Sequence, residues 1–350
     1  ADDIRAELPE VNGIMGTGSY SEVVSVVEAV LAGDKPTRRG AISAPLYDTP
    51  RAVSTGPNWA YLRIAEGCDN RCAYCVIPSL RGKFRSRTKE SILEEARLLA
   101  ASGVKELIIV AQDITRYGID LYGKVCLTEL LKELCKLDFR WVRLHYLYPE
   151  LIDDELIDEI ASEDKIVKYL DIPIQHINDT ILRRMNRRGT GEEIRALFKK
   201  LRERIPSLVL RTSLITGLPG EGEAEFEELC DFLREAKIER AGVFPYSPEE
   251  GTPAALMPDR CSTEEAQRRA ELCMEIQAEI MDGFAETFIG RELDVLVMGR
   301  EPDGTPWGRS EYDSPDIDSR VIFSGDAAPG DMVRVRIDSV DDGELIGEQI

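Results

Sequence analysis

The sequence lacks the features that mark membrane-spanning and secreted proteins. No apolar run approaches the roughly 18 residues that a transmembrane helix needs, and neither a signal peptide nor a lipidation motif is visible. The longest apolar runs, such as 107–111, have the length of buried strands. We therefore expect a cytoplasmic protein with no membrane partner.

Histidine and positive charge are also scarce. Only two of the 350 residues are histidine, and 65 Asp and Glu residues outnumber 44 Lys and Arg residues, which gives a net charge of −21. Such a surface repels the phosphate backbone of nucleic acids, so strong direct nucleic-acid binding is not expected. The charge suits a basic partner, although solubility alone would also account for it.

Cysteine is present but is not distributed as in a disulfide-stabilised protein. The chain is long enough to build its own core, and disulfides are rare in the cytoplasm. Five of the eight cysteines occur singly in helix-like patterns that are typical of small core residues. These five are Cys126, Cys135, Cys230, Cys261 and Cys273. The other three are concentrated in the stretch GCDNRCAYC, at 67–75.

The pattern of apolar residues divides the chain into four parts. Residues 1–57 predict a short helical remnant of a domain, followed by a linker rich in Pro, Gly, Ser and Thr. Short apolar strands then alternate with amphipathic helices over 58–262, which is typical of βα units around a parallel sheet. A long connecting helix is predicted over 263–290. Period-two alternation over 291–350 predicts a separate small antiparallel β domain.

The βα region contains six predicted strands rather than the eight of a closed barrel. They are 59–65, 106–111, 141–146, 168–174, 208–216 and 241–246. The predicted fold class is therefore α/β, with a partial, open (βα)6 barrel.

The three clustered cysteines follow the first predicted strand, where α/β proteins carry their active sites. A structural zinc site needs a fourth ligand, which His145 or His176 could bring from later strands. An iron–sulfur cluster is held by thiolates, and three cysteines on a four-iron cluster leave one iron open for another molecule. Cys68, Cys72 and Cys75 are therefore candidate ligands of a zinc ion or of a four-iron–four-sulfur cluster.

A C-x3-C-x2-C motif after the first strand of a six-stranded βα array resembles the radical S-adenosylmethionine (SAM) superfamily. In that superfamily the open iron binds the amino and carboxylate groups of SAM, and an electron from the cluster releases a 5′-deoxyadenosyl radical. The resemblance implies that the three cysteines hold the cluster and that residues at the barrel mouth contact SAM. The implied SAM-binding residues are Tyr74, Gln112, Asp113, Gln175, Arg211 and Gly217.

Some of these residues also have a simpler interpretation. Gly217, within TGLPGE at 216–221, could shape a strand-to-helix turn. Arg211 lies in an apolar strand, so we expect it to point into the barrel and to pair with an acidic group. Two basic groups could bind a carboxylate of SAM, the substrate or RNA, or could be solvated faces. They are Arg81, Lys83, Arg85, Arg87 and Lys89, and Arg183, Arg184, Arg187 and Arg188.

Longer stretches resemble the radical SAM methylthiotransferases, which add an –SCH3 group. AEGCDNRCAYCVIPSLRGKFRSR, at 65–87, carries this resemblance. One branch of the family modifies an adenosine in transfer RNA (the MiaB type), and another modifies an aspartate of small-subunit ribosomal protein twelve (the RimO type). VAQDITRYGIDLYG, at 110–123, resembles the protein-modifying branch, since the RNA branch tends to have Asn at the position of Asp113. DIPIQHINDTILRRMNRR and YSPEEGTPAA also resemble the protein-modifying branch.

The charge of the C-terminal part supports the same branch. Residues 285–350 contain 16 Asp and Glu but only 6 Lys and Arg, and the family carries in this place a small β domain called TRAM, often an RNA binder. An RNA-binding version should be basic, whereas an acidic surface suits a basic ribosomal protein. A general drift of the whole protein towards acidic residues is the alternative explanation.

The resemblance fails at the N-terminus. The family has an N-terminal domain whose three further cysteines hold a second four-iron cluster that supplies or positions sulfur. This chain has no cysteine before Cys68, and 7–31 resembles only the last helix and turn of that domain. We therefore expect a truncated or proteolysed chain that holds one cluster, cleaves SAM and does not complete sulfur insertion.

The resemblance thus implies an enzyme that methylthiolates the β-carbon of an aspartate in small-subunit ribosomal protein twelve. It also implies an external reductant of the flavodoxin or ferredoxin type. The sequence singles out no catalytic acid or base. Two alternatives remain: a transfer-RNA methylthiotransferase of the MiaB type and a non-catalytic, zinc-binding ribosome adaptor.

Overall fold

The computed structural model describes residues 1–42, 52–56 and 58–350. The first stretch is a small α/β unit in which two short strands pair in parallel. Its elements are α1 (Asp2–Glu7), β1 (Ile14–Met15), α2 (Val23–Leu31) and β2 (Thr37–Arg38). Residues 43–51 and 57 of the predicted linker lie outside the described residues.

The central part of the chain forms a six-stranded parallel sheet. Its strands are β3 (Trp59–Arg63), β6 (Glu106–Val110), β7 (Trp141–Leu144), β8 (Ile166–Asp171), β9 (Val209–Thr216) and β10 (Arg240–Pro245). They lie in the order β10-β9-β8-β7-β6-β3, so each βα unit adds its strand beside the previous one. Because β3 and β10 are the two edges of this order, the sheet is the predicted partial barrel and not a closed one.

Amphipathic helices cover the outer face of this sheet. The longer ones are α4 (Lys89–Ala101), α6 (Leu127–Leu134), α7 (Asp154–Ser162), α9 (Gly191–Arg204), α10 (Glu223–Ala236) and α11 (Thr263–Glu286). Their first turns are fixed by side-chain caps such as Asp153, Thr190 and Ser262, which accept backbone N–H groups. None of the described helices is long and apolar enough to cross a membrane.

Shorter elements lie at the carboxyl edge of the sheet, where the cysteine motif also lies. They are β4 (Ala65–Glu66), α3 (Ile77–Arg81), β5 (Arg85–Ser86), α5 (Ile119–Tyr122) and α8 (Asp179–Arg184). The short strands β4 and β5 pair in an antiparallel ribbon on either side of the cysteines. The chain therefore leaves the sheet, forms the cysteine loop and returns to its starting point.

The C-terminal part is a closed barrel of five strands. They are β11 (Glu292–Arg300), β12 (Pro306–Ser310), β13 (Val321–Ser324), β14 (Met332–Asp341) and β15 (Glu344–Gln349). Val295, Phe323 and Val335 belong to its own apolar core. The predicted small β domain is thus present and is antiparallel except for one pair, since β13 and β15 run parallel.

The two barrels share a buried boundary at the amino-terminal edge of the six-stranded sheet. Glu106, the first residue of β6, accepts from Arg143 of β7 at 2.6 Å and from Arg309 of β12 at 2.5 Å. All three side chains are at most 2% exposed. Apolar contacts surround them, because Trp141 and Leu296 lie in one buried cluster that spans both barrels.

The loop 311–320, between β12 and β13, continues this boundary into the partial barrel; we call it the floor loop. Its Asp313 pairs with Arg240 at 2.8 Å, and the hydroxyl of Tyr169 donates to its Asp318 at 2.6 Å. Ser314 Oγ lies 3.0 Å from Nε2 of His145, the residue that follows β7. The C-terminal barrel therefore covers the amino-terminal edge of the partial barrel. It leaves open the carboxyl edge, where α/β proteins carry their active sites.

Candidate active site

The cysteine loop, residues 67–75, begins with a turn that only glycine fits. Gly67 has a φ of 84°, and a Cβ there would lie 2.2 Å from the carbonyl oxygen of Lys83. Cys68 N–H then donates to the carbonyl of Gly82 at 3.1 Å. At its first cysteine, the loop is therefore held against the segment that leads from α3 to β5.

Residues that follow β8 and β6 anchor the rest of the loop. Asn186 donates to the carbonyl of Arg71 at 2.9 Å, and Ala73 N–H donates to the carbonyl of Met185 at the same distance. From the other side, Asn70 donates to the buried carboxylate of Asp113 at 2.9 Å. Hydrogen bonds from both sides therefore hold the loop in place.

The three thiols lie in a partly dry environment. Cys72 is buried, whereas Cys68 and Cys75 are half-buried. Burial raises the pKa of Cys68 to about 11 and also raises the pKa of Cys75. Thiolates at these positions need a nearby cation for compensation, which is what bound iron or zinc provides.

The donor set fits a multi-iron cluster better than a single zinc ion. Among the described residues, no three His, Cys, Asp or Glu side chains are gathered around one metal position, as a zinc site requires. A four-iron cluster instead takes each thiolate on a different iron. Both histidines are engaged elsewhere: His145 with Ser314, and His176 Nε2 at 3.4 Å from Glu221 Oε2.

Gln112 and Asp113, which the resemblance implies as SAM contacts, make hydrogen bonds within the protein. Gln112 accepts the N–H of Gly67 at 2.7 Å, and Asp113 accepts from Asn70 and from the N–H of Thr115. Both residues follow β6, the neighbour of β3, so they lie directly beside the cysteine loop. Their observed contacts hold that loop in place.

Gly217 also has a structural explanation. Its φ is 75°, and a Cβ at this position would lie 2.4 Å from Cβ of Ala266 on α11. Its N–H donates to Glu221 at 2.9 Å, and Arg269 of α11 donates to the same carboxylate at 2.9 Å. The glycine is thus required where the turn after β9 approaches α11.

Tyr74, Gln175 and Arg211 are the other three residues that the resemblance implies as SAM contacts. Tyr74 is partly buried against an apolar cluster beneath the loop, and Gln175 has a φ of 72°, which is unusual for a residue other than glycine. Arg211 points into the barrel as expected and pairs with buried Asp171 at 2.9 Å. Burial raises the pKa of Asp171, while the guanidinium of Arg211 opposes that rise.

The sequence does not indicate that two residues, Tyr148 and Arg187, lie beside Cys72. The hydroxyl of Tyr148 lies 3.3 Å from Sγ of Cys72, and a terminal nitrogen of Arg187 lies 4.0 Å from the same sulfur. Arg187 occurs in the sequence only as one of four neighbouring arginines, yet it is buried while Arg188 is exposed. The position of Tyr148 four residues after the end of β7 is the only signal that the sequence offers.

Comparison with protein families agrees with this architecture. Residues 62–233 match the model of the radical SAM superfamily, and residues 289–350 match that of the TRAM domain. Among solved structures, the chain resembles a radical S-adenosylmethionine methyltransferase, TsrM, from Kitasatospora setae. The TM-score is 0.50 and the identity 17%, over 66% of this chain and 50% of that one, so the likeness concerns the fold alone.

Curated relatives are much more similar in sequence. The ribosomal protein uS12 methylthiotransferase RimO of Caldanaerobacter subterraneus subsp. tengcongensis is 47% identical over 99% of this chain and 80% of its own length. The protein of the same name from Pelotomaculum thermopropionicum is 49% identical, with the same coverage of both chains. The chain therefore belongs to the RimO family of radical SAM methylthiotransferases.

Proposed function

We propose that this chain generates the radical and docks the substrate in an enzyme that methylthiolates ribosomal protein uS12. The observation that carries the proposal is its 47% identity to a named uS12 methylthiotransferase along 99% of its length. The proposed target is the β-carbon of an aspartate. That carbon carries no activated hydrogen, so acid–base chemistry is insufficient and a radical is needed.

Cys68, Cys72 and Cys75 would hold one four-iron–four-sulfur cluster at the carboxyl edge of the sheet. With SAM bound, such a cluster would supply the electron that releases a 5′-deoxyadenosyl radical. We assign one cluster to this chain, because none of the other five cysteines lies in the cysteine loop.

The remaining contacts would come from the inner face of the barrel. Among the described residues, Arg211 contacts Asp171 through one terminal nitrogen, so its other donors are available to a carboxylate of SAM. Tyr74 and Gln175 would border the same ligand. Gln112, Asp113 and Gly217 would act indirectly, by fixing the cysteine loop and the turn after β9.

The C-terminal barrel supports a protein substrate over an RNA substrate. Five of its six arginines form ion pairs with carboxylates, and the sixth, Arg291, lies over the ring of Phe288. The paired arginines are Arg300, Arg309, Arg320, Arg334 and Arg336. Few positive charges are left for phosphates, whereas the surplus of carboxylates can steer a basic ribosomal protein. The proposed site of action is the cytoplasm, with a reductant of the flavodoxin or ferredoxin type.

The test is anaerobic reconstitution, followed by iron and sulfide analysis and by electron paramagnetic resonance of the reduced protein with and without SAM. We expect about four irons per chain and a signal that shifts when SAM is added. Cys68→Ala should abolish both cluster binding and SAM cleavage. Cys135→Ala, at the end of α6 in the outer layer, is the matched control and should retain both.

Two outcomes would contradict the proposal. Zinc without iron or sulfide would favour the ribosome-adaptor function. Tight, salt-sensitive binding of transfer RNA, without binding of uS12, would favour the RNA-modifying branch.

A further inference from the structure

Arg187 is a buried cation without an ion-pair partner among the described residues. It is 8% exposed, and one terminal nitrogen donates to the carbonyl of Pro173 at 2.7 Å. Its Nε is buried and has no hydrogen-bond partner in the described part of the chain. Burying a guanidinium without an ion-pair partner costs free energy. We therefore expect its charge to interact with a group that the protein binds.

The orientation of Arg187 indicates what that group is. Its guanidinium lies over the ring of Tyr148, with 4.1 Å between the guanidinium carbon and the ring centre. This contact holds the two side chains together beside Cys72. Arg187 donates to Sγ of Cys72 at 4.0 Å, and the hydroxyl of Tyr148 lies 3.3 Å from the same sulfur, to which it donates when Cys72 is a thiolate. Two donors from separate βα units therefore meet at one sulfur.

The other two cysteines lack this arrangement among the described residues. Within the described ranges, Sγ of Cys68 accepts the backbone N–H of Asn70, at 3.5 Å, and no other donor. Cys72 is also the most buried of the three thiols, and a charge acts more strongly where water is excluded. Glu150 lies near Arg187 without forming an ion pair with it in the described part of the chain, and burial raises the pKa of its carboxyl group.

We propose that Arg187 and Tyr148 tune the cluster of the proposed function by donating to the sulfur of Cys72, which makes the cluster easier to reduce. Reduction adds one electron to the cluster, and a positive charge and hydrogen bonds to a ligating sulfur both stabilise the added negative charge. Both residues are positioning and tuning residues, since they act through Cys72. The inference rests on the proposed function, because it requires that Cys72 ligates iron.

The test is a reduction potential and not an activity. The reconstituted chain is titrated anaerobically with dithionite, which supplies the electron that converts the cluster from the 2+ to the 1+ state, and electron paramagnetic resonance counts the reduced form. Arg187→Met should lower the equilibrium constant for reduction at least tenfold, which is about 59 mV for a one-electron couple. Tyr148→Phe should shift the potential in the same direction by less.

Arg188→Met is the matched control, because it removes the same charge from the adjacent, exposed residue. Its potential should equal that of the unmodified chain. If Arg187→Met does not take up iron, Tyr148→Phe decides the question, since it keeps the ring on which Arg187 stacks and removes only the hydroxyl.

Fully loaded Arg187→Met with an unchanged potential would overturn the inference and leave the proposed function intact. If loaded Arg187→Met shifts the potential, an unchanged potential in loaded Tyr148→Phe removes Tyr148 from the inference. If Arg187→Met does not take up iron, an unchanged potential in loaded Tyr148→Phe overturns the inference. If the unmodified chain forms no cluster, the proposed function fails and this inference fails with it.

Discussion

Glu106 offers the sharpest test of how the two barrels are held together. Its carboxylate is wholly buried between Arg143 and Arg309, and both terminal nitrogens of Arg143 have no hydrogen-bond partner among the described residues. Glu106→Gln keeps the shape but removes the negative charge, so two buried guanidinium groups lose their compensation. Removal of one partner from a buried ion pair costs about 3–5 kcal/mol, and we expect a loss of unfolding free energy in that range.

The measurement is urea unfolding at pH 7.5, followed in parallel by tryptophan fluorescence and circular dichroism to check that the two transitions coincide. The control is Glu292→Gln, which removes the same charge from the exposed pair with Arg334. Surface pairs contribute about 0.2–1 kcal/mol, so this control should lie close to the unmodified chain. A Glu106→Gln variant within 1 kcal/mol of that control would refute the reasoning.

The same triad gives an opposite expectation when all of its charges are removed together. Replacement of Glu106 by Leu and of both arginines by Met leaves no uncompensated charge, and such replacements are often neutral or stabilising. The triple variant should therefore be more stable than Glu106→Gln alone. If it is equally unstable, the loss comes from packing and not from charge.

The triad also sets a response to acid. Burial alone would raise the pKa of Glu106, but Arg309 and Arg143 outweigh burial and lower it. Its contribution to stability is therefore present above the unfolded pKa of about 4.3 and is lost as the pH falls through the lower folded value. The boundary between the barrels should persist in mild acid.

Two further predictions concern His145 and the turn after β9. Burial, with Arg143 and Arg211 nearby, lowers the pKa of His145 to about 3, so the folded protein binds fewer protons than the unfolded chain below pH 6.5. His145 should therefore cost about 2 kcal/mol of stability on going from pH 7.5 to pH 5, and His145→Gln should remove that part of the pH dependence in urea unfolding. Gly217→Ala should destabilise the protein by about 2 kcal/mol or more, since both its positive φ and α11 oppose a Cβ.

Each of these two predictions has its own contrary result. The His145 argument is wrong if the variant and the unmodified chain lose stability in parallel between pH 7.5 and pH 5. For Gly217, the control is Gly283→Ala on α11, where no atom lies within 4 Å of a new Cβ and about 1 kcal/mol of stabilisation is expected from helix propensity. Similar melting temperatures for the two glycine variants would contradict the packing argument.

The sequence predicts those parts of the fold that depend on local patterns. The six strands are found within a few residues of their predicted positions, because apolar strand runs alternate with capped amphipathic helices such as α9. The expected acidic partner of Arg211 is also found: an arginine in an apolar strand needs a buried partner, and Asp171 provides it. The closed form of the C-terminal barrel and its one parallel pair depend on strand pairing between distant residues, which period-two alternation does not encode.

The roles of individual site residues are less accessible to sequence reasoning. Gln112 follows a strand end, as a ligand-binding residue would, and the sequence does not indicate that its side chain accepts the N–H of Gly67. Arg187 and Arg188 are adjacent and chemically identical, and only the fold buries one of them beside Cys72. In both cases the decisive quantity is a distance between segments that are far apart in the sequence.

The floor loop makes the C-terminal barrel inseparable from the enzyme it follows. Exchanging residues 289–350 for the corresponding part of a transfer-RNA-modifying relative would be an obvious way to redirect the substrate. In such a chimera, Glu106, Tyr169 and Arg240 would lose the partners that they have in the present C-terminal barrel. A successful transplant must therefore carry these inner residues of the radical SAM barrel along with the appended domain.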